Sequence, residues 1–157
     1  MRKGQIAVPV QEEPSSKHEN WLDADQCASV AVTSERSGYP IEAALAGQEP
    51  GWRAATAGSQ IIRLIFHNPR SLRRIQLIFE DRENARAQEF VLRWSLGAEH
   101  SFREIVRQQW NFSPHGSVRE TEDYKVQLSE VAILELIVVP DKSGGDAQAS
   151  LRSFRIA

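Results

Sequence analysis

The stretch Ile41-Glu-Ala-Ala-Leu-Ala-Gly-Gln-Glu-Pro-Gly-Trp-Arg-Ala-Ala-Thr56, followed by the run Gln60-Ile-Ile-Arg-Leu-Ile-Phe66, decides the fold. A turn of small residues leads to a Gly-Trp-Arg-Ala step and then to an alternating segment. In Gln60–Phe66, Ile62, Leu64 and Phe66 fall on one face, and Ile61, Arg63 and Ile65 on the other, the two-residue period of a strand. Outward from there the same period recurs. Leu72–Glu80 follows the turn signal Asn68-Pro69 and sets Ile75, Leu77 and Phe79 against Arg74, Gln76 and Glu80. Glu89–Leu96 sets Phe90, Leu92 and Trp94 against Val91, Arg93 and Ser95. Cys27–Thr33, Phe102–Phe112, Tyr124–Leu128, Val131–Val139 and Leu151–Ile156 complete the set of expected strands. Pro140–Asp146 is a loop by composition, and Asn20–Gln26 is expected to form at most one helical turn, with Asn20 as its cap.

Short strands separated by turn signals, without helices of crossover length, predict an all-β antiparallel sandwich or barrel. The chain of 157 residues is read as one domain over 21–157 preceded by a short irregular N-terminal arm, 1–20. That length buries a core without staples. Cys27 is the single cysteine, which excludes an intrachain disulfide and a multi-cysteine zinc site. The N-terminus has no apolar core of signal-peptide length, and no run approaches a membrane span, so a cytoplasmic home is expected. The net charge of -2 gives no gross attraction to nucleic acid or anionic membrane, and neither is expected as a partner.

The quoted pieces, taken in order, resemble the discoidin (coagulation-factor type C) domain of the galactose-binding-like jelly-roll superfamily. They are Ala44-Leu45-Ala46-Gly47, Gly51-Trp52-Arg53-Ala54, Ile61–Phe66, Ile75-Gln76-Leu77, Phe90–Ser95, Ser101–Val106, Ala132–Leu136 and Leu151–Ile156. The resemblance covers roughly residues 27 to 157 and implies a sandwich that binds ligands rather than catalysing. Many secreted members carry a bridge between the domain ends, which this chain cannot form. Sugar-binding members often hold a structural calcium ion, and two carboxylates that help ligate it correspond here to Ala46 and Ser153. Calcium needs several oxygens, carboxylates among them, so neither a tightly held calcium nor any other cofactor is expected. Glu42 or Glu49 would compensate only in part.

Catalytic chemistry finds little purchase. His18, His67, His100 and His115 show no close ligand spacing, there is no Gly-x-Ser-x-Gly elbow, and no phosphate loop is present. Carboxylate runs such as Glu80–Glu83 and Glu120–Asp123 read as solvated charges. The chain is therefore read as a non-enzyme whose end loops bind a carbohydrate or another small polar ligand. The candidate ligand residues are Tyr39, in the loop Glu35–Pro40 at the end where the resemblance places ligands, Arg82, Asn84 and Arg86 in a turn rich in forked donors and acceptors, and Asn111 and His115. Trp94 and Trp52 read as core. A second reading stays open. Ile61, Ile65, Ile133 and Ile137, with Ile78 and Val139, lie opposite the presumed core, where a solvated sheet carries polar residues. They offer an apolar face for a protein partner or a homo-oligomer, unless Ile6, Val8 and Val10 of the arm fold back over it.

Overall fold

A computed structural model describes residues 20–97 and 101–157. Two short helices, α1 (Ala24–Cys27) and α2 (Ile41–Leu45), accompany eight strands. These are β1 (Ala28–Val32), β2 (Trp52–Ala57), β3 (Gln60–Glu80), β4 (Arg86–Ser95), β5 (Phe102–Phe112), β6 (Arg119–Val139), β7 (Gln148–Leu151) and β8 (Ser153–Ile156). All pairings are antiparallel, in the order β1-β3-β6-β4-β5, with β8 on the second half of β3 and a separate β2-β7 ribbon.

The hydrogen-bonded sheet folds over on itself. Phe79 lies opposite Glu120 at the start of β6, whereas Phe90 lies opposite Val138 at its end. On a flat sheet those positions would stand about 60 Å apart, yet the two rings stack with centroids 5.2 Å apart. The bend falls where the β3–β6 register breaks, between Ile65 and Arg74. There the inward set of β3 switches from Ile62, Leu64, Phe66 and Leu72 to Ile75, Leu77 and Phe79. An extra residue in one strand flips the faces and bends it. Two strands of 21 residues thus serve both layers of a sandwich.

This differs in detail from the sequence expectation. Asn68-Pro69 marks a bend within one strand rather than a turn between two, and Tyr124–Leu128 and Val131–Val139 are likewise continuous through Glu130, at φ 56. Pairing resumes on both sides of the corner, and in β6 the left-handed Glu130 takes up the change of direction. Leu151–Ile156 divides between the β2 partner and the β3 partner at Arg152, whose N–H bonds Ile78 O at 2.8 Å. The expected helical turn forms at α1, with Asp23 rather than Asn20 at its N-cap, and α2 arises in what reads as a small-residue turn.

Trp52 is core, buried with its indole Nε1 donating to Ser34 O at 3.1 Å, and Trp94 is half-buried against the core. Gly51, just before Trp52, has φ +79, and a Cβ there would lie 2.6 Å from Leu151 O. Only glycine satisfies both conditions. Polar groups also lie buried, among them Gln60, Gln88 and Glu120. Glu120 is buried and accepts from Gln88 Nε2 at 3.4 Å. Burial, together with the neighbouring Glu122 carboxyl, pushes its pKa up to about 9, so it is protonated at neutral pH. The same surroundings raise the Tyr124 hydroxyl, which donates to Glu122 Oε1 at 3.1 Å.

Two outcomes are expected. Gly51→Ala lowers stability by at least about 2 kcal/mol, from left-handed strain plus the clash, read as a lower urea midpoint at unchanged slope. Glu120, with its folded pKa raised above its unfolded value of 4.5, contributes stability that is whole below that value and is lost as pH rises toward about 9. Urea midpoints of the wild type therefore fall across that window, and Glu120→Gln flattens the fall.

Candidate functional site

The bends leave one end of the sandwich built of loops. Val32, at the end of β1, pairs with Ile62, at the start of β3. The turn between β3 and β4 (81–85) meets the β5–β6 loop through Asp81 N–H to Val118 O at 2.9 Å. The loop after β6 joins the same end through Lys142 N–H to Ala87 O at 2.8 Å and Gly58 N–H to Ala147 O at 3.3 Å.

Arg86 clamps these loops together. Its side chain is 3% exposed. Nε donates to Asp81 Oδ2 at 2.7 Å, while Nη1 donates to Pro140 O at 2.7 Å and to Gln88 Oε1 at 3.2 Å. The Phe112 ring lies 4.7 Å from the guanidinium carbon. Asp81 Oδ1 in turn accepts the N–H groups of Glu83 and Asn84 at 2.9 and 3.1 Å, which shapes the turn. Burial opposes the charge on Asp81, but the Arg86 bond and the two amides outweigh it and hold the carboxyl below its usual range. Across the gap, Asp141 Oδ1 accepts Ser143 N–H and Oγ–H at 3.0 and 2.8 Å, and these bonds lower its pKa as well.

Between the two loops lies an open cleft of about 500 Å³, whose walls include Arg53, Asn84, Arg86, Asp146 and Gln148. Gly144 and Gly145, at φ 90 and 87, leave one wall as bare backbone. The lining is mixed in sign and rich in both donors and acceptors, with two of its three acidic groups, Asp81 and Asp141, already engaged. It can hold a polar, polyhydroxylated molecule by hydrogen bonds. Ser143 Oγ–H points to Asp141, with no histidine in the lining to take its proton.

Of the residues expected to bind ligand, Asn84 and Arg86 meet in this cleft. Tyr39 stands behind it, with the Arg53 guanidinium carbon 5.3 Å and that of Arg36 5.8 Å from its ring centroid. Arg82 is exposed and pairs with Glu80 at 3.4 Å. Asn111 is exposed on β5 opposite Ala87, and His115 is exposed in the turn closed by Gly116 N–H to Ser113 O at 3.1 Å. These four lie outside the cleft lining. Sequence reasoning passed over Arg53, Asp146 and Gln148. Arg53 sits within the Gly-Trp-Arg-Ala step itself, and the composition of Pro140–Asp146 marks a loop without marking what it faces.

The turn at Ala46-Gly47 holds a cation of the protein's own. Arg155 Nη1 donates to Ala46 O at 3.0 Å, and a Cβ at Gly47 would come within 2.7 Å of the same nitrogen. Ser153 is buried beside it. Among the described residues, no group of three or more His, Cys, Asp or Glu is placed to hold a metal ion. A second cleft of about 590 Å³ flanks this turn, between Trp21, Arg155 and α2, and carries Asp23, Asp25 and Glu42. It lies away from the loop end.

No protein-family profile matches the chain, and no curated protein sequence matches it. Solved structures do. The CBM32 of AlyQ, in complex with 4,5-unsaturated mannuronic acid, superposes with a TM-score of 0.63 at 13% identity, covering 88% of this chain and 98% of that one. A CBM32-3 from a family 31 glycoside hydrolase of Clostridium perfringens gives 0.64 at 16% identity, over 92% and 98%. Reduced XRCC1 bound to the DNA pol beta catalytic domain gives 0.56 at 15% identity, over 81% and 92%. At these identities the likeness is one of fold. The chain has the galactose-binding-like, discoidin-like jelly-roll fold expected from its strand order.

Proposed function

We propose that this protein is a non-catalytic carbohydrate-binding module, whose ligand sits in the cleft between the 81–86 turn and the 141–148 loop. The observation that carries the reading is the cleft itself: a concave, polar site on loops that a buried clamp, Arg86, holds in one arrangement. A preorganised site loses little ordering entropy on binding. Sugar hydroxyls each offer a donor and an acceptor, which the Arg53, Asn84, Asp146 and Gln148 side chains and the bare Gly144-Gly145 backbone match. The CBM32 neighbours, one of them bound to 4,5-unsaturated mannuronic acid, support a sugar as the ligand class. With Asp81 and Asp141 locked in local hydrogen bonds, the cleft binds without turning over its ligand.

A glycan array followed by calorimetry on the positive sugars tests this. Asn84→Ala and Arg53→Ala are expected to weaken a hit by about tenfold each, the worth of a hydrogen bond or two, at unchanged thermal midpoint. Arg86→Ala should instead destabilise the fold by about 2–3 kcal/mol, because half-buried Asp81 loses its cation and Pro140 O and Gln88 Oε1 lose their buried donor. An array without hits, or hits indifferent to both cleft variants, contradicts the reading.

A further inference from the structure

The lining of the loop-end cleft divides by sign and by element. Asp141 and Asp146 stand on the loop after β6. Asp81 and Arg86 neutralise each other in a buried pair at 2.7 Å. The other lining cation is Arg53, on β2, where the register sets it opposite Ser150, beyond the acidic stretch of the loop. Its half-buried side chain makes no ion pair or hydrogen bond with any of the described residues.

What holds Arg53 is a ring. Its guanidinium carbon lies 5.3 Å from the Tyr39 ring centroid, and that of Arg36 lies 5.8 Å from the same ring. The backbone fastens this loop to β2 at the same point: Arg53 N–H donates to Tyr39 O at 3.4 Å, and Arg36 N–H to Arg53 O at 2.8 Å. A ring contact engages the face of a guanidinium and leaves its in-plane N–H donors free. Two guanidiniums over one ring also repel each other, which an anion between them would relieve. Glu35, the nearest acid in sequence, accepts Ile41 N–H at 2.9 Å and pairs with neither arginine.

Counted formally the lining is not basic, since Arg53 and Arg86 face three aspartates. Selectivity therefore lies in placement. Carboxylates accept from sugar hydroxyls, so Asp141 and Asp146 suit the hydroxylated edge of a ligand. A single hydroxyl matches the parallel donors of a guanidinium fork poorly, whereas a carboxylate takes both. We propose that the ligand of this cleft is an acidic saccharide, with its carboxylate in the fork of Arg53 and its hydroxyls toward the loop after β6. The inference rests on the carbohydrate reading of the same cleft and adds the class of sugar. Tyr39 is then a positioning residue, acting through Arg53.

The test uses the full chain and methyl glycosides of the gluco, galacto and manno series, each with hydroxymethyl, carboxylate or aminomethyl at C6, read by calorimetry. In the series that binds, the carboxylate sugar should bind at least about tenfold tighter than the hydroxymethyl sugar, the worth of one charge-assisted contact. The aminomethyl sugar should bind weakest. Arg53→Gln should bring the acid down to the level of the neutral sugar at unchanged thermal midpoint, and Arg53→Lys, a charge without a fork, should restore only part of the difference. Tyr39→Leu should lower the acid-to-neutral ratio severalfold while leaving the neutral sugar's affinity unchanged, a split that mere loosening of the fold would not give. A neutral sugar bound as tightly as its acid, or an aminomethyl sugar bound tightest, overturns the inference and leaves the carbohydrate reading standing. No binding in any series or on the glycan array overturns both.

Discussion

The antiparallel pairing of β3 with β6 carries the whole architecture. The two strands stay hydrogen-bonded on either side of a register break between Ile65 and Arg74, and that break turns one sheet into two facing layers. It brings Phe79 onto Phe90 and places the turn after β3, the start of β4 and the loop after β6 at one end. Without the break the two inward sets of β3, which differ in parity, would lie on opposite faces of a flat sheet, and the loops that form the cleft would be scattered along a ribbon. Most contacts that close the domain join residues distant in sequence, such as Gln88 to Glu120 and Arg86 to Pro140. Topologies of this kind close long loops before they are rewarded, and fold slowly for that reason.

Much of this was legible in the residues. Alternation at Gln60–Phe66, Leu72–Glu80 and Phe90–Ser95 named the strands and their inner faces, because a strand buried on one side records its environment every second residue. The order of those pieces carried the jelly-roll resemblance, which the fold matches. The continuity of β3 and β6 was hidden, because Asn68-Pro69 marks a change of chain direction without telling a turn from a bend. The cleft was legible only in part. Asn84 and Arg86 are the kinds of side chain a polar site uses, and they lie in it. Yet Arg86 proves to be the clamp that holds the loops, a role set by Asp81, Pro140 and Phe112, which only tertiary structure brings to it. Arg53 and Gln148 belong to the β2–β7 ribbon, whose pairing sequence alone did not foretell.

The two surfaces divide the molecule by chemistry. The loop end is polar, concave and stiffened by buried hydrogen bonds, suited to a small hydroxylated ligand. The outer face of the larger layer carries a cross-strand row of alternating charge, Arg63, Glu135, Arg93 and Glu104, between isoleucine pairs. Both follow from the same long strands, since the register that bends β3 and β6 also aligns that row. At the Ala46-Gly47 turn the Arg155 guanidinium serves the backbone directly, so the turn that marks the fold carries its charge within the chain.

The central claim is that the loop-end cleft holds a sugar. A titration of isotope-labelled protein with a hit from the glycan array, followed by amide and side-chain chemical shifts, addresses it most directly. The account predicts saturable shifts concentrated at the Asn84 side-chain amide, at Gly144 and Gly145, and at Gln148, with the sheet interior unmoved. Shifts confined to the flank around Trp21 and Glu42, or to the outer face at Ile61 and Ile65, would contradict it.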